Sequence, residues 1–179
     1  MHKKIFFSFF SLVFFFNYSA QLSTFYYELP TDQVESGLME FATHHDQRLT
    51  IAARYLLTMV GIFGEAGASN WEESLSQHLA LYHPNVVKEY NGDDSIQEIN
   101  ALEAQLRTTR TKAFPCFFTK LKELSAVERK NRIVLNFDWQ SDQHETRQYA
   151  TMALLDLDPS LHITRVTEVY NKRHENPLH

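Results

Sequence analysis

Glu168 is the side chain whose surroundings in the sequence most favour chemistry. Val166, Glu168 and Tyr170 alternate along the last predicted strand, so all three point to the same face. Asp156 and Asp158 fall on the opposite face or at a turn, which leaves Glu168 as the inward acid of the last two strands. An apolar surrounding penalises a charged carboxylate, so this residue is predicted to act as a general acid or base. The alternative is a solvated carboxylate, or one bonded to a tyrosine.

Aromatic residues on the same inward faces are candidates for ligand contact. Tyr55, Tyr82 and Tyr90 are of interest because a buried phenol needs a hydrogen-bond partner and can orient a ligand. The predicted ligand-binding residues are Tyr82, Tyr90, Phe137, Trp139, Val166 and Tyr170. Core packing is the alternative role for Phe137 and Trp139, as it is for Phe117 and Phe118.

The histidines and the single cysteine give weaker signals. His78 shares a helical face with Tyr82, but the run that ends at His83-Pro84 more commonly marks a helix end. His44-His45-Asp46 places two histidines side by side, which diverge on a helix, and no further ligand has suitable spacing. Cys116 has no second cysteine to pair with, and a buried inert thiol is expected. We predict no metal and no cofactor.

Helices that come before strands must position these residues. The helical spacing of Ile51, Tyr55, Met59 and Ile62 predicts a helix over Asp46–Phe63. Further predicted helices are Trp71–Leu81 and a segment from Ser95 to Arg107, capped by Ser95 with Glu98, and Thr108–Pro115 is a predicted connector. Predicted strands are Val86–Tyr90, Phe117–Val127, Ile133–Trp139, Gln148–Leu157 and Ile163–Tyr170. Helices followed by a run of strands predict an α+β fold, with N-terminal helices packed on a curved antiparallel sheet.

The N-terminus predicts export. Lys3 and Lys4 precede the apolar run Ile5–Phe16, and Ser19-Ala20 follows, a pattern typical of a secretory signal peptide over Met1–Ala20. An uncleaved membrane anchor is the alternative. The formal charge of the chain is −5, and loss of the two lysines with this segment takes it to −7. An acidic exported protein, periplasmic or secreted, is not expected to bind nucleic acid.

The order and apolar pattern of these elements resemble the nuclear-transport-factor-2-like superfamily and its SnoaL-like branch. The similar pieces are Arg54–Leu57, Leu79–Val87 with its Tyr-His-Pro-Asn-Val-Val run, Ile96–Leu106 and Leu155–Ile163. The resemblance implies a cone-shaped domain around an internal pocket, and a homodimer formed through the outer sheet face. Together with the predicted signal peptide over residues 1–20, it divides the chain into an N-terminal arm and extra helix (21–45), a SnoaL-like domain (46–172) and a polar tail (173–179).

The resemblance also implies roles for particular residues. SnoaL-type cyclases carry an acid five residues beyond the leading isoleucine of the last strand, and counting from Ile163 gives Glu168. Their frequent histidine two residues earlier is Val166 here. The helical tyrosine of ketosteroid isomerases corresponds to Tyr55, but their two acids fall near Tyr90 and Ala153, so that reaction is not expected.

Three functions follow as hypotheses. The first is an exported domain that binds a small apolar or amphipathic ligand, or a protein partner, without assigned chemistry. The second is a cyclase- or isomerase-type enzyme in which Glu168 is the acid or base and Tyr55 the hydrogen-bond donor. The third is a periplasmic component of an envelope or secretion assembly, which would dock envelope proteins through Phe25-Tyr26-Tyr27 and the outer sheet face. That outer face, with Ala150, Met152, Leu154, Ile163 and Val169, is predicted to be too apolar for open water.

Overall fold

The computed structural model of this protein describes residues 23–29, 34–43, 46–65, 69–92, 94–127, 130–141 and 147–173. The predicted signal peptide 1–20, the pair His44-His45 and residues 174–179 of the predicted tail lie outside them. The helices in the described part are α1 (Val34–Phe41), α2 (Gln47–Phe63), α3 (Trp71–Leu79) and α4 (Ile99–Ala113). The strands are β1 (Ser23–Leu29), β2 (Tyr82–Tyr90), β3 (Asp94–Gln97), β4 (Cys116–Val127), β5 (Arg132–Ser141), β6 (Arg147–Leu157) and β7 (Ile163–Arg173). None of the helices in these ranges is long and apolar enough to span a membrane.

The strands form one sheet in the order β1-β4-β5-β6-β7-β2-β3. The predicted meander of the last strands is confirmed, because β4, β5, β6 and β7 pair antiparallel in succession. The sheet is not wholly antiparallel, since β2 lies parallel to β7. The predicted extended arm is strand β1 on the edge of the sheet, paired with β4. The α+β class is confirmed, with the helices beside a curved sheet.

Helix α2 is the element that joins the helical layer to the sheet. The Asp46 side chain caps it by accepting a hydrogen bond from the Arg48 backbone N–H at 3.0 Å. Its residues Ala52, Tyr55 and Ile62 recur at helical spacing and are fully buried, as the sequence predicts. The helix packs on β4 and β5 and also contacts α1 and α3. Because the helix packs directly on the sheet, Tyr55 reaches Glu168 of β7.

Two predictions around residue 95 are wrong. Ser95 does not cap a helix: it lies in β3 and pairs with Glu89 of β2. The turn between these strands contains Asn91 and Gly92, both with positive φ, and Asn-Gly is a strong hairpin signal. Helix α4 begins only at Ile99, and it continues to Ala113 through most of the predicted connector. Pairing with β2 therefore outweighs the local capping preference.

Two predictions of solvent exposure on the sheet also differ from the structure. Ile163 was expected on the outer face but is fully buried, because a register shift inserts Thr164 opposite the step from Asp156 to Leu157. Asp138 alternates with Phe137 and Trp139 in the sequence, which predicts a solvated or dimer-facing side chain. It is only 7% exposed, and the ammonium of Lys122 lies 2.6 Å from its carboxylate.

Candidate functional site

A buried ion pair lies at the centre of the molecule. The Lys88 Nζ atom is 3.0 Å from Glu168 Oε1, and the Tyr55 hydroxyl donates to the same oxygen at 2.7 Å. Lys88 is 2% exposed and Glu168 is 8% exposed. The parallel pairing of β2 with β7 sets Tyr90 opposite Glu168, so Lys88, two residues earlier on the same face, is its diagonal neighbour. Strands β2 and β7 and helix α2 are distant in sequence, and together they bring Lys88, Glu168 and Tyr55 into one buried cluster.

The cluster keeps a defined protonation state near neutral pH. Burial disfavours the Lys88 ammonium, but the Glu168 carboxylate, with smaller contributions from Tyr90 and Tyr82, outweighs this and raises the pKa of Lys88 above its ordinary value. Burial, followed by the charge of Glu168, raises the pKa of Tyr55 well above its ordinary value. Lys88 is therefore a cation and Tyr55 a neutral donor. Both contact Glu168 Oε1, which accepts the Tyr55 hydroxyl proton in a hydrogen bond and forms an ion pair with the Lys88 ammonium.

A second polar chain lies behind the ion pair. His78 is fully buried, with its Nδ1 2.8 Å from the Thr58 hydroxyl and its Nε2 2.9 Å from the Tyr82 hydroxyl. The Thr58 hydroxyl also lies within 3.0 Å of the Arg54 and Tyr55 carbonyl oxygens, which can only accept. The donor and acceptor roles along this chain depend on the tautomer of His78, because each ring nitrogen faces a hydroxyl that can donate or accept. Burial, and then the positive charge of Lys88, lowers the pKa of His78 from 6.5 to about 3.

A cavity of about 420 Å³ opens onto the ion pair. One end is polar, where Lys88 and Glu168 lie beside Tyr90, whose hydroxyl donates to Gln105 Oε1 at 2.6 Å. The other end is aromatic. The rings of Trp139 and Tyr149 stack with centroids 4.4 Å apart, and Tyr170 meets Tyr149 edge-on. The remaining lining residues in the described part of the chain are mostly apolar: Met59, Phe63, Ile96, Leu106, Thr109, Cys116, Phe137 and Thr151.

The structure brings most of the predicted site residues to this cavity. Glu168 and four predicted ligand-binding residues line it, namely Tyr90, Phe137, Trp139 and Tyr170. Tyr55 lies behind Glu168 and acts on it through their hydrogen bond. Tyr82 and Val166 are buried outside the cavity lining, since Tyr82 binds His78 and Val166 is wholly enclosed by the core. Their predicted contact with a ligand has no support in this geometry.

Sequence reasoning missed Lys88, Gln105, Tyr149 and Thr151. Lys88 was not predicted as a site residue because lysine is almost never fully buried without a partner. A signal was nevertheless present: Val86, Lys88 and Tyr90 alternate on one face of the first predicted strand, and an inward lysine there requires an inward acid. Glu168 was that acid. For metal binding, no group of three His, Cys, Asp or Glu suited to an ion occurs in the described residues.

Comparison with known proteins identifies the fold. No model of a protein family matches the chain, and no curated protein matches it. Among solved structures, one similar protein is SalBIII, described as an epoxide hydrolase/cyclase-like enzyme with a role in pyran ring formation in the polyether salinomycin. Its TM-score is 0.54 at 14% identity, and the match covers 70% of this chain and 91% of SalBIII. A nuclear-transport-factor-2-like protein of unknown function from Exiguobacterium sp. 255-15 has a TM-score of 0.55 at 12% identity, covering 68% of this chain and 98% of that one.

A third similar structure, from Shewanella putrefaciens CN-32, is described as a SnoaL-like polyketide cyclase. Its TM-score is 0.55 at 11% identity, covering 79% of this chain and 88% of that one. This chain has the nuclear-transport-factor-2-like fold, as its sequence predicts. At such low identity the likeness does not extend to activity, because this fold carries many functions.

The first prediction concerns the ion pair. Replacing Lys88 by Met leaves a carboxylate buried without its cation, which is expected to lower the free energy of unfolding by about 3–5 kcal/mol. The double change Lys88→Met with Glu168→Gln removes both charges and keeps an acceptor for Tyr55, so most of the loss should be recovered. Glu168→Gln alone should destabilise, because it leaves the Lys88 ammonium buried without its anionic partner. Urea unfolding at pH 7 measures all three.

The same two strands supply a matched control for this experiment. Arg165 and Glu89 form an ion pair of 2.9 Å on the outer face of β7 and β2, and both are substantially exposed. Arg165→Met should therefore cost no more than about 1 kcal/mol. If Lys88→Met costs no more than Arg165→Met, the buried pair does not have the energetic role that its geometry indicates.

The second prediction concerns acid. The folded-state pKa of His78 is about 3, below the 6.5 of the unfolded chain, so between these values the unfolded state binds more protons. The contribution of the neutral His78 ring to the free energy of unfolding is complete above pH 6.5. It is lost as pH falls, by roughly 3 kcal/mol at pH 4. His78→Gln should remove this part of the pH dependence, although it lowers stability at pH 7. His162→Gln, at an exposed histidine, is the control and should keep the wild-type slope between pH 6.5 and 4.

Proposed function

We propose that this protein binds a small amphipathic molecule in the cavity between helix α4 and the sheet. The observation that carries this proposal is an apolar cavity of about 420 Å³ with a charged pair at one end. Ligand sites are concave, mainly apolar and equipped with a few polar groups, and volumes of roughly 300–1,000 Å³ are typical. Both features favour a bound small molecule over a filled core.

The two ends of the cavity suit the two ends of such a molecule. Trp139 donates its indole N–H to Thr151 Oγ1 at 2.9 Å, so its polar atom is satisfied and its ring can contact an apolar body. The Tyr149 ring stacks on the Trp139 ring, with an angle of 16° between the two ring planes. At the other end, Glu168 and Gln105 offer polar atoms to a substituent. Apolar contact would supply affinity, and the polar end would fix orientation.

Acid–base catalysis is the second candidate function, because the carboxylate of Glu168 lies in the cavity and is held by Tyr55. The ion pair of this carboxylate with Lys88 supports the role of a base. The structurally similar SalBIII is described as an epoxide hydrolase/cyclase-like enzyme, and this likeness supports catalysis as the second candidate. Loss of turnover with retained binding after Glu168→Gln in the Lys88→Met background would distinguish an enzyme from a binding protein.

Export is part of this proposal and rests on the sequence. The basic start and the apolar run Ile5–Phe16 support a mature N-terminus near Gln21, outside the cytoplasm, which N-terminal sequencing of the native protein would identify. The envelope-assembly alternative rests on the sequence as well. Its tyrosine-containing segment lies in the edge strand β1. Co-purification of envelope proteins would support it.

The third prediction tests ligand binding with N-phenyl-1-naphthylamine, an uncharged dye that fluoresces in apolar sites. Thr109 of α4 faces the cavity, so Thr109→Phe fills part of it and should weaken dye binding by about tenfold or more. Thr108→Phe, at the exposed neighbouring position, is the matched control and should leave the dissociation constant unchanged. Equal affinity in both variants would place the dye elsewhere and remove support for the cavity as a binding site.

The fourth prediction concerns a second copy of the chain. We propose a homodimer through the outer sheet face, supported by Met152 and Val169, which are 47% and 54% exposed and sit opposite each other on β6 and β7. Changing both to Lys should convert a dimer to a single chain in sedimentation at micromolar concentration, because like charges would then meet across the interface. A wild-type protein that already sediments with the mass of one chain contradicts the proposal.

A further inference from the structure

We infer that the ligand of this cavity is an uncharged molecule that carries a hydroxyl group, and that this hydroxyl donates to Glu168 Oε2. The inference rests on the proposed binding function and specifies the chemical class of the ligand. It depends on three observations: the hydrogen bonds of one carboxylate, the charges that line the cavity, and the order of polar and aromatic side chains along it.

The carboxylate of Glu168 is asymmetric in its contacts. Oε1 accepts from the Tyr55 hydroxyl at 2.7 Å and lies 3.0 Å from Lys88 Nζ. For Oε2, the described residues supply no hydrogen bond, although every fully buried side-chain polar atom among them has a partner. Oε2 is therefore not fully buried, and since Glu168 lines the cavity, this oxygen faces it. It is a carboxylate oxygen paired through Oε1 with a lysine, and in an apolar site it requires a donor from a ligand or water.

The charge of the site selects against ions. Within the described residues, Lys88 and Glu168 are the charged side chains of the cavity lining, and together they have no net charge. An anion would meet the open carboxylate oxygen. A cation would lie near the buried Lys88 ammonium, which already neutralises that carboxylate. A neutral donor avoids both penalties, because it completes the hydrogen bonds of Oε2 without adding a charge to a low-dielectric site.

The order of side chains along the sheet places the apolar part of the ligand. On β7, Tyr170 is the next inward residue after Glu168, at a spacing of roughly 7 Å. Thr151 pairs with Tyr170 on β6, and Trp139 pairs with Tyr149 beyond it. A ligand whose hydroxyl reaches Oε2 would therefore extend its body along the aromatic rings. A ring-bearing alcohol or phenol matches this arrangement.

The test uses three probes that share a naphthalene body: 2-naphthol, 2-methoxynaphthalene and 2-naphthoate. Calorimetric titration at pH 7 should show 2-naphthol binding about ten- to a hundredfold more tightly than 2-methoxynaphthalene, since only the first can donate to a charged acceptor. 2-Naphthoate should bind least tightly. In the double variant Lys88→Met with Glu168→Gln, Tyr55 holds the amide oxygen and the amide N–H₂ faces the cavity, so the preference for 2-naphthol should disappear.

The outcomes separate this inference from the proposed function. If 2-naphthol and 2-methoxynaphthalene bind the wild-type protein equally well, or if the double variant keeps the preference, the hydroxyl assignment is overturned while ligand binding stands. Tightest binding of 2-naphthoate would overturn the argument from charge. If none of the three binds and the Thr109→Phe variant also has no effect on the dye, the binding function fails and the hydroxyl assignment fails with it.

Discussion

The constraint on which the rest of this structure depends is the buried contact between Lys88 and Glu168. Neither charge is stable alone in this interior, because removal from water costs each ion several kcal/mol. The pair therefore fixes the parallel register of β2 against β7, the place where the chain returns to the sheet after three helices and closes the cavity. Tyr55 adds helix α2 to the same contact. One cluster thus ties two distant strands and the helical layer together.

The polar groups behind the pair explain how the cluster keeps its geometry. Thr58 and His78 connect α2 with α3, and Tyr82 extends the chain of hydrogen bonds to the start of β2. Each fully buried side-chain polar atom in the described residues has a partner, so no rearrangement is favoured by an unmet hydrogen bond. The neutral His78 ring also packs against Tyr55, at a centroid distance of 5.1 Å. The Tyr55 phenol is consequently held by its hydrogen bond to Glu168 on one side and by the His78 ring on the other.

Local sequence patterns correctly predicted the elements whose formation depends mainly on neighbouring residues. Alternation identified the strands β5, β6 and β7 and the inward direction of Glu168, and helical spacing identified the buried face that carries Tyr55. Errors arose where distant pairing competes with local preference, as at Ser95, or where one inserted residue reverses an alternation, as at Ile163. Most of the site was visible, but its central cation was not. A lysine is normally assigned to solvent, and only the joint orientation of two strands shows that Lys88 points inward.

The ion pair also changes what a pocket carboxylate of this fold can do here. With the ammonium at 3.0 Å and the phenol at 2.7 Å, Oε1 is already engaged, and the other carboxylate oxygen is left as an acceptor. The same two contacts preorganise that oxygen, since a ligand need not order it on binding. The arrangement combines a fixed acceptor, no net charge and an aromatic wall. These properties select a neutral donor group on an apolar body, and they follow from one lysine on the first inward strand face.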